Sequence, residues 1–399
     1  MRQVKSHASV SFRRLIGGAR AGVFLTPWLI SVGGGLMMIG VNLRAVDIGA
    51  RIEFLGLLGA ARSTTYMLSA LGWGTLSDRL RKETIILASC FLHIFVCVAT
   101  AWARTLPLLV LATVAFSITE GMLWPPFEAW VGEVRQKGTG KRWFGIYNIA
   151  WCSGLALGTG MGGIAKEAGS ALPFYVAAIV SLLGSVPALW LGKVGGRIGA
   201  ENEAAATALP PVDDTAWMRL SWVANFGSIF CFATIVNLFP KEGGQLHLPE
   251  RLIAFLCGLA SAGELLAFVF TALTGVWQGK IAVLAGAQGT AAVGLLWLGR
   301  SEQVASFVVV FLMVGLSMGI GFSSSLLFSV SSERSRGRRA GVHEAMLALG
   351  GMVGPPLCGV FAGLAGRRVP HLLSGMVLLL CILVEMQLLR RGQKGKPPR

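Results

Sequence analysis

Twelve apolar stretches of about twenty residues or more constrain this chain more than any other feature. They fall near 23–45, 54–76, 84–103, 106–131, 143–165, 172–192, 220–240, 251–277, 280–299, 303–329, 341–365 and 370–390. About 20 apolar residues in a helix cross the hydrocarbon core of a bilayer, and a lone span must satisfy its own backbone hydrogen bonds there. Helix is therefore the expected form of each stretch, and the ten-residue alternation of a membrane barrel is absent from the sequence. Composition agrees: 54% of the 399 residues are apolar and 14% charged, against the roughly 25% charge of a soluble domain. The fold class is read as an all-α integral membrane protein with twelve transmembrane helices.

The net charge of +16 does not point to nucleic acid, because the basic residues sit in short clusters between the apolar runs. Twenty-five of the 35 Lys and Arg fall in the N-terminus, the even-to-odd loops and the C-terminus; nine fall in the opposite loops, and Arg62 lies inside the second span. By the positive-inside rule both termini belong in the cytoplasm of a multi-pass protein of the cell membrane. A basic start (Arg2, Lys5, Arg13, Arg14, Arg20) without a small-residue cleavage site reads as a retained first span rather than a signal peptide. The seven cysteines all lie in apolar runs without CxxC pairing, and the five histidines have no metal-ligand spacing. No metal or cofactor is expected. No G-x-x-x-x-G-K-[ST] occurs, which argues against an ATP-driven pump, and nothing suggests an enzyme.

The longest polar segment, 193–219, is rich in Ala, Pro and acidic residues and reads as a cytoplasmic linker between six-helix halves at 1–192 and 220–399. An internal repeat supports that division. Residues 141–163 and 337–359 align at an offset of 196, matching Arg142 with Arg338, Gly154 with Gly350 and Gly158 with Gly354. One span earlier Ser117, Gly121 and Glu133 match Ser317, Gly321 and Glu333. Parallel six-span halves are a transporter plan.

Charge is scarce overall, yet "GTLSDRLRK" (74–82) between spans 2 and 3 is crowded with it. Gly74, Leu76, Asp78 and Arg79 resemble the loop 2–3 signature of the major facilitator superfamily, with Arg81 and Lys82 where a Gly-Arg pair is usual. "GLALGTGMGG" (154–163) resembles the span 5 glycine signature of that family's proton-coupled exporters, with Thr159 in place of proline. "GGMVGPPLCG" (350–359) repeats it on span 11 with Pro355 present. The resemblance implies that Gly74, Asp78, Arg79, Arg81, Lys82 and Glu133 form a latch against the start of span 11, closing the cytoplasmic side in one state. It also implies packing and gating roles for Gly154, Gly158, Gly350, Gly354 and Pro355. Exporters of this kind often carry an arginine on span 4; here Ser117 takes that position and Glu120 follows three residues later.

An ionisable group inside a span costs roughly 2.5–3.5 kcal/mol on insertion scales and is a functional candidate. Glu120 lies ~21 Å into span 4 at the helical rise, and Glu264 is at a similar depth in span 8. Either is a candidate for proton coupling or substrate contact. Arg62 either pairs with Glu120, holds an anionic group or snorkels outward. Glu128, near the cytoplasmic end of span 4, reads as a gate contact. Glu385 reads as snorkelling, and His343 with Glu344 as a helix-start pair. Trp124, Tyr147, Asn148, Trp151, Asn225 and Ser324 are candidate cavity-lining residues, and "WPP" (124–126) with Pro355-Pro356 should bend spans 4 and 11.

These features predict a secondary active transporter that moves a small solute by alternating access, coupled to protons and directed toward efflux, working as a monomer in the lipid bilayer. The alternative is a non-transporting receptor or assembly factor on the same fold.

Overall fold

The computed structural model describes residues 2–77, 79–134, 140–198, 215–330 and 336–394. Twelve helices account for the described chain: α1 (Arg2–Asp47), α2 (Ile52–Ser77), α3 (Lys82–Ala101), α4 (Leu106–Val134), α5 (Gly140–Ala168) and α6 (Leu172–Ile198), then α7 (Thr215–Gln245), α8 (Glu250–Leu273), α9 (Ile281–Leu298), α10 (Val304–Val330), α11 (Arg336–Ala365) and α12 (Val369–Lys394). Among the described residues ten of them are long and apolar enough to cross a membrane by composition alone. The two that fall short, α2 and α5, carry "RSTTY" and a run of glycines in their middles, and both sit at the contact between halves. Most of the 193–219 segment lies outside the described residues.

Short turns force neighbouring helices to run antiparallel. Gly49 and Gly366, with φ of 86° and 100°, turn the chain after α1 and after α11, in a region of backbone space that side chains rarely adopt. The loops after odd-numbered helices therefore lie at one end of the bundle. Loops after even-numbered helices lie at the other.

Within the first half α1 packs on α5 and α6, α2 on α4, and α3 on α4 and α6; in the second half α7 packs on α11 and α12, α8 on α10, and α9 on α10 and α12. The glycines explain how the repeat is built. A methyl group added at Gly154 or Gly158 would fall on the carbonyl oxygens of Trp28 or Val32 in α1. One added at Gly350 or Gly354 would meet those of Phe226 and Phe230 in α7, each 2.7 Å away. Phe226 and Phe230 lie 198 residues after Trp28 and Val32, so the two halves use the same helix pair in the same register. Both contacts are backbone against backbone, a closeness that only glycine permits. The helices α4 and α11 run on through their proline pairs.

The halves meet along α5–α8 and α2–α11, the same pairing exchanged by the repeat. These contacts are dense at the odd-loop end. A methyl group at Gly163 would strike the backbone of Glu250, Gly56 abuts Pro355 and Pro356, and Gly363 abuts the Glu53 side chain. Lys166 of α5 bonds Asp47 of α1 and, at 2.9 Å, Glu250 of α8. Its neighbour Glu167 accepts from the Arg251 backbone N–H at 3.0 Å. Toward the even-loop end α2 and α11 part while α5 and α8 stay in touch, a methyl group added at Gly145 meeting Ala272 at 3.8 Å. Gly341 near the start of α11 has no neighbour within 4 Å of an added methyl, and that of Gly74 would meet only Pro125, in its own half, at 3.9 Å.

Candidate functional site

Between the halves lies a cavity of about 270 Å³ that begins at mid-depth and continues toward the even-loop end. Eight helices line it: α1, α2, α4 and α5 from the first half, α7, α8, α10 and α11 from the second. α3, α6, α9 and α12 contribute nothing to the lining and form the outside of the bundle. Each lining helix turns one stripe inward at helical spacing. On α2 the stripe is Gly59, Arg62, Ser63 and Tyr66; on α4 it is Glu120, Trp124 and Glu128; on α5, Tyr147, Trp151 and Leu155; on α11, Glu344, Leu347, Ala348 and Gly351.

At mid-depth Arg62 Nη2 lies 3.1 Å from Glu120 Oε2, an ion pair whose side chains are 23% and 11% exposed. Pairing, not snorkelling, is thus the arrangement Arg62 adopts, with its guanidinium 5.9 Å from the Phe116 ring centre as well. Glu264 faces the same cavity from α8, is 2% exposed, and has no cationic partner among the described residues. Nearer the even-loop end, Tyr147 donates to Glu128 Oε1 at 3.1 Å. Glu344 of α11 is half exposed, with His343 Nε2 3.8 Å from its Oε1.

The walls are aromatic. Trp124 meets Tyr147 edge-on at 6.3 Å. Trp151, Phe268, Phe322 and His343 form a chain of ring contacts at 5.7, 5.6 and 4.9 Å that crosses from the first half to the second.

The structure brings Arg62, Glu120, Glu264, Trp124, Tyr147 and Trp151 together at this cavity. Asn148, Asn225 and Ser324 do not line it. Asn148 accepts from Trp151 Nε1 at 3.2 Å, Asn225 is fully buried and donates to the His343 carbonyl at 3.4 Å, and Ser324 is buried. Amides and hydroxyls on membrane helices commonly bond to neighbouring helices, as the Asn225 amide nitrogen does here. Of the loop after α2, Asp78 lies outside the described residues, as does the side chain of Glu133. Arg79 and Arg81 are exposed, and Arg81 sits 4.0 Å from Glu83 in its own half. Glu385 corrects the sequence expectation. It is 0% exposed, and among the described residues neither carboxyl oxygen has a hydrogen-bond partner. Its α12 packs on α9, so the side chain is enclosed and has no route to snorkel to the surface.

Tyr66, Phe232, Asn237 and Phe322 line the cavity without having been singled out from sequence. Tyr66 carried a usable signal. The chain has only three tyrosines, and Tyr66 stands four residues after Arg62, on the same face of the helix.

Comparisons with known proteins agree with this geometry. Residues 23–332 match the Major Facilitator Superfamily. The quinolone resistance protein NorA of Staphylococcus aureus (strain COL) is 21% identical over 380 residues, covering 92% of this chain and 96% of that protein. The MFS-type transporter SLC18B1 of Homo sapiens is 26% identical over 173 residues, 41% of this chain and 38% of that one. Among solved structures, a bacterial homolog of the human lysosomal transporter Spinster, inward-facing and occupied, superposes with a TM-score of 0.72 at 14% identity, covering 93% and 96% of the two chains. The nucleoside transporter NupG gives 0.69 at 13% identity, covering 93% and 98%. The twelve helices, the repeated halves and the cavity between them make this chain a member of the major facilitator superfamily, a membrane transporter that moves a small solute by alternating access and not an enzyme.

Proposed function

We infer that the chain exports small amphipathic organic cations across the cell membrane in exchange for protons, as a monomer with both termini in the cytoplasm. The observation that carries this reading is the charge balance of the cavity. Four carboxylates (Glu120, Glu128, Glu264 and Glu344) face one guanidinium, and that guanidinium is already paired. The rings of Tyr66, Trp124, Tyr147, Trp151, Phe232 and Phe322 surround them, and aromatic faces attract organic cations. Glu264 is the mid-depth carboxylate left without a cation, so a proton and a solute cation compete for it; that competition is exchange coupling in its simplest form.

The positive-inside count puts the even-loop end in the cytoplasm, so the cavity is open inward. When the halves rock, the loop at 74–82 would meet the start of α11, where Asp78 is suited to the helix N-terminus. Pro355 packed against Gly56 and the glycine contacts of α5 and α11 would keep the halves in register during that motion. The segment 193–219 would tether them. Efflux is supported by the quinolone resistance named for the relative from S. aureus.

The test uses purified protein in proteoliposomes with an imposed pH gradient and an internal pH dye. Tetraphenylphosphonium, sugars, amino acids and organic anions are offered in turn to the wild type and to Glu120→Gln and Glu264→Gln variants. Cation-dependent proton flux that disappears in Glu264→Gln is expected. Flux that survives in that variant removes coupling from Glu264; flux with sugars or anions in place of cations removes the organic-cation reading.

A further inference from the structure

The Arg62–Glu120 pair occupies an unusual position. Arg62 lines the main cavity and also a small adjoining pocket toward α1, whose polar walls are Asn42, Thr113 and Asn237. Those groups are neutral, so among the described residues Glu120 is the carboxylate in contact with Arg62. Both side chains are partly exposed to the cavity, at 23% and 11%, so a solute can reach either one. A structural ion pair buried in helix packing would offer neither.

We propose that this pair sets the charge selectivity of the carrier. Arg62 acts as a built-in counter-cation that cancels Glu120 and leaves Glu264, from the opposite half, as the mid-depth carboxylate of the lining without a cation. This role for the pair rests on the organic-cation reading above and extends it. Charge in a low-dielectric wall is costly when it loses its partner, and it recruits another of the right sign. Removing Glu120 strands the Arg62 guanidinium, which then takes an anion. Removing Arg62 strands Glu120, which gives the cavity a second open carboxylate beside Glu264. Removing both returns mid-depth to one uncompensated carboxylate, Glu264, which is the wild-type balance there. Selectivity therefore follows the intactness of the pair rather than the number of acidic residues, and Glu128 and Glu344 at the wider end contribute the same attraction in every case.

Tetraphenylphosphonium and tetraphenylborate test this directly, because they match in shape and differ in sign. Saturable binding of each is measured by equilibrium dialysis on the full chain in nanodiscs, for the wild type, Glu120→Gln, Arg62→Gln, the double variant and Arg62→Lys. The wild type is expected to prefer the cation. Glu120→Gln should shift the preference toward the borate by about tenfold or more, as expected for one unit charge within several ångströms in a partly dry cavity. Arg62→Gln should tighten phosphonium binding by a similar factor. The double variant should return to the wild-type preference, and Arg62→Lys, which keeps the charge, should stay near it and guard against mere misfolding. Glu120→Gln and the double variant sharing one preference overturns the proposal, as does an unchanged preference in both single variants. A wild type that prefers the borate instead refutes the organic-cation reading, while the shift between the single and double variants still judges the pair.

Discussion

Replacing Lys166 with methionine should unlatch the odd-loop end. Lys166 is 6% exposed and holds two carboxylates, Asp47 in its own half and Glu250 in the other. Burial by itself lowers the pKa of the ammonium, but the hydrogen bonds it donates to Asp47 and Glu250 outweigh it and hold the group above the ordinary lysine value. A raised lysine pKa means that the stabilisation is complete below about 10.4 and is lost only as pH rises through the higher folded-state value, so the latch is intact at neutral pH. Glu250 and Asp47 are 28% and 43% exposed, which places the pair between two regimes. A surface bridge contributes about 0–1 kcal/mol, and breaking a fully buried one costs about 3–5 kcal/mol. A value of about 2 kcal/mol for the closed state corresponds to about a 30-fold change in the open-to-closed ratio. Methionine keeps the packing of the stem, so the change isolates charge. The assay places a single cysteine at Asn237, deep beneath the closed end, in a cysteine-free background. Its reaction with a membrane-impermeant maleimide is then timed from the odd-loop side. Labelling should accelerate by an order of magnitude or more in Lys166→Met and slow again when Lys166→Glu is combined with Glu250→Lys and Asp47→Asn, which removes the like charge that a carboxylate at position 166 would meet. Unchanged labelling in Lys166→Met, or no recovery in the charge-swapped pair, would refute the latch.

Other substitutions probe the packing and the remaining charges. Gly158→Ala puts a methyl group on the Val32 carbonyl of α1, against backbone that cannot swing aside, and should lower stability by about 1–3 kcal/mol in thermal denaturation. Glu385→Met combined with Gln288→Leu replaces two neighbouring buried polar groups that form no well-aligned hydrogen bond among the described residues, and should leave stability equal or raise it by about 1–3 kcal/mol without changing transport. A loss of transport there would reveal a role for Glu385 outside the cavity. Glu302 ties the loop after α9 to Arg367 and Arg368 at 2.5 and 2.6 Å, and hydrogen bonds from Arg368 and Arg367 hold its carboxyl below the ordinary carboxylate value. Its contribution is present above about pH 4.3 and lost as pH falls through the lowered value. Melting curves of wild type and Glu302→Gln should therefore differ slightly at neutral pH and converge in acid.

The run lengths specified twelve helices, because only a helix of about twenty apolar residues can cross lipid with its backbone satisfied. The glycine repeat revealed two related halves, since backbone-to-backbone contact admits no other residue at Gly154, Gly158, Gly350 and Gly354. Helical rise also gave the depth of Glu120 and Glu264. Facing was another matter. Lipid and a packed helix interior are equally apolar, so an apolar pattern does not say which side of a helix turns inward. Only the tertiary structure selected pairing with Glu120 among the readings open to Arg62, and set Glu264 opposite them from the other half. It brought Tyr66 into the cavity, kept Asn225 inside the packing and enclosed Glu385 where α12 meets α9. Lys166 and Glu250 stand 84 residues apart and join the halves at one end. Sequence fixes how deep a charge lies within its own helix; its partner and its access to a solute depend on which helices pack beside it.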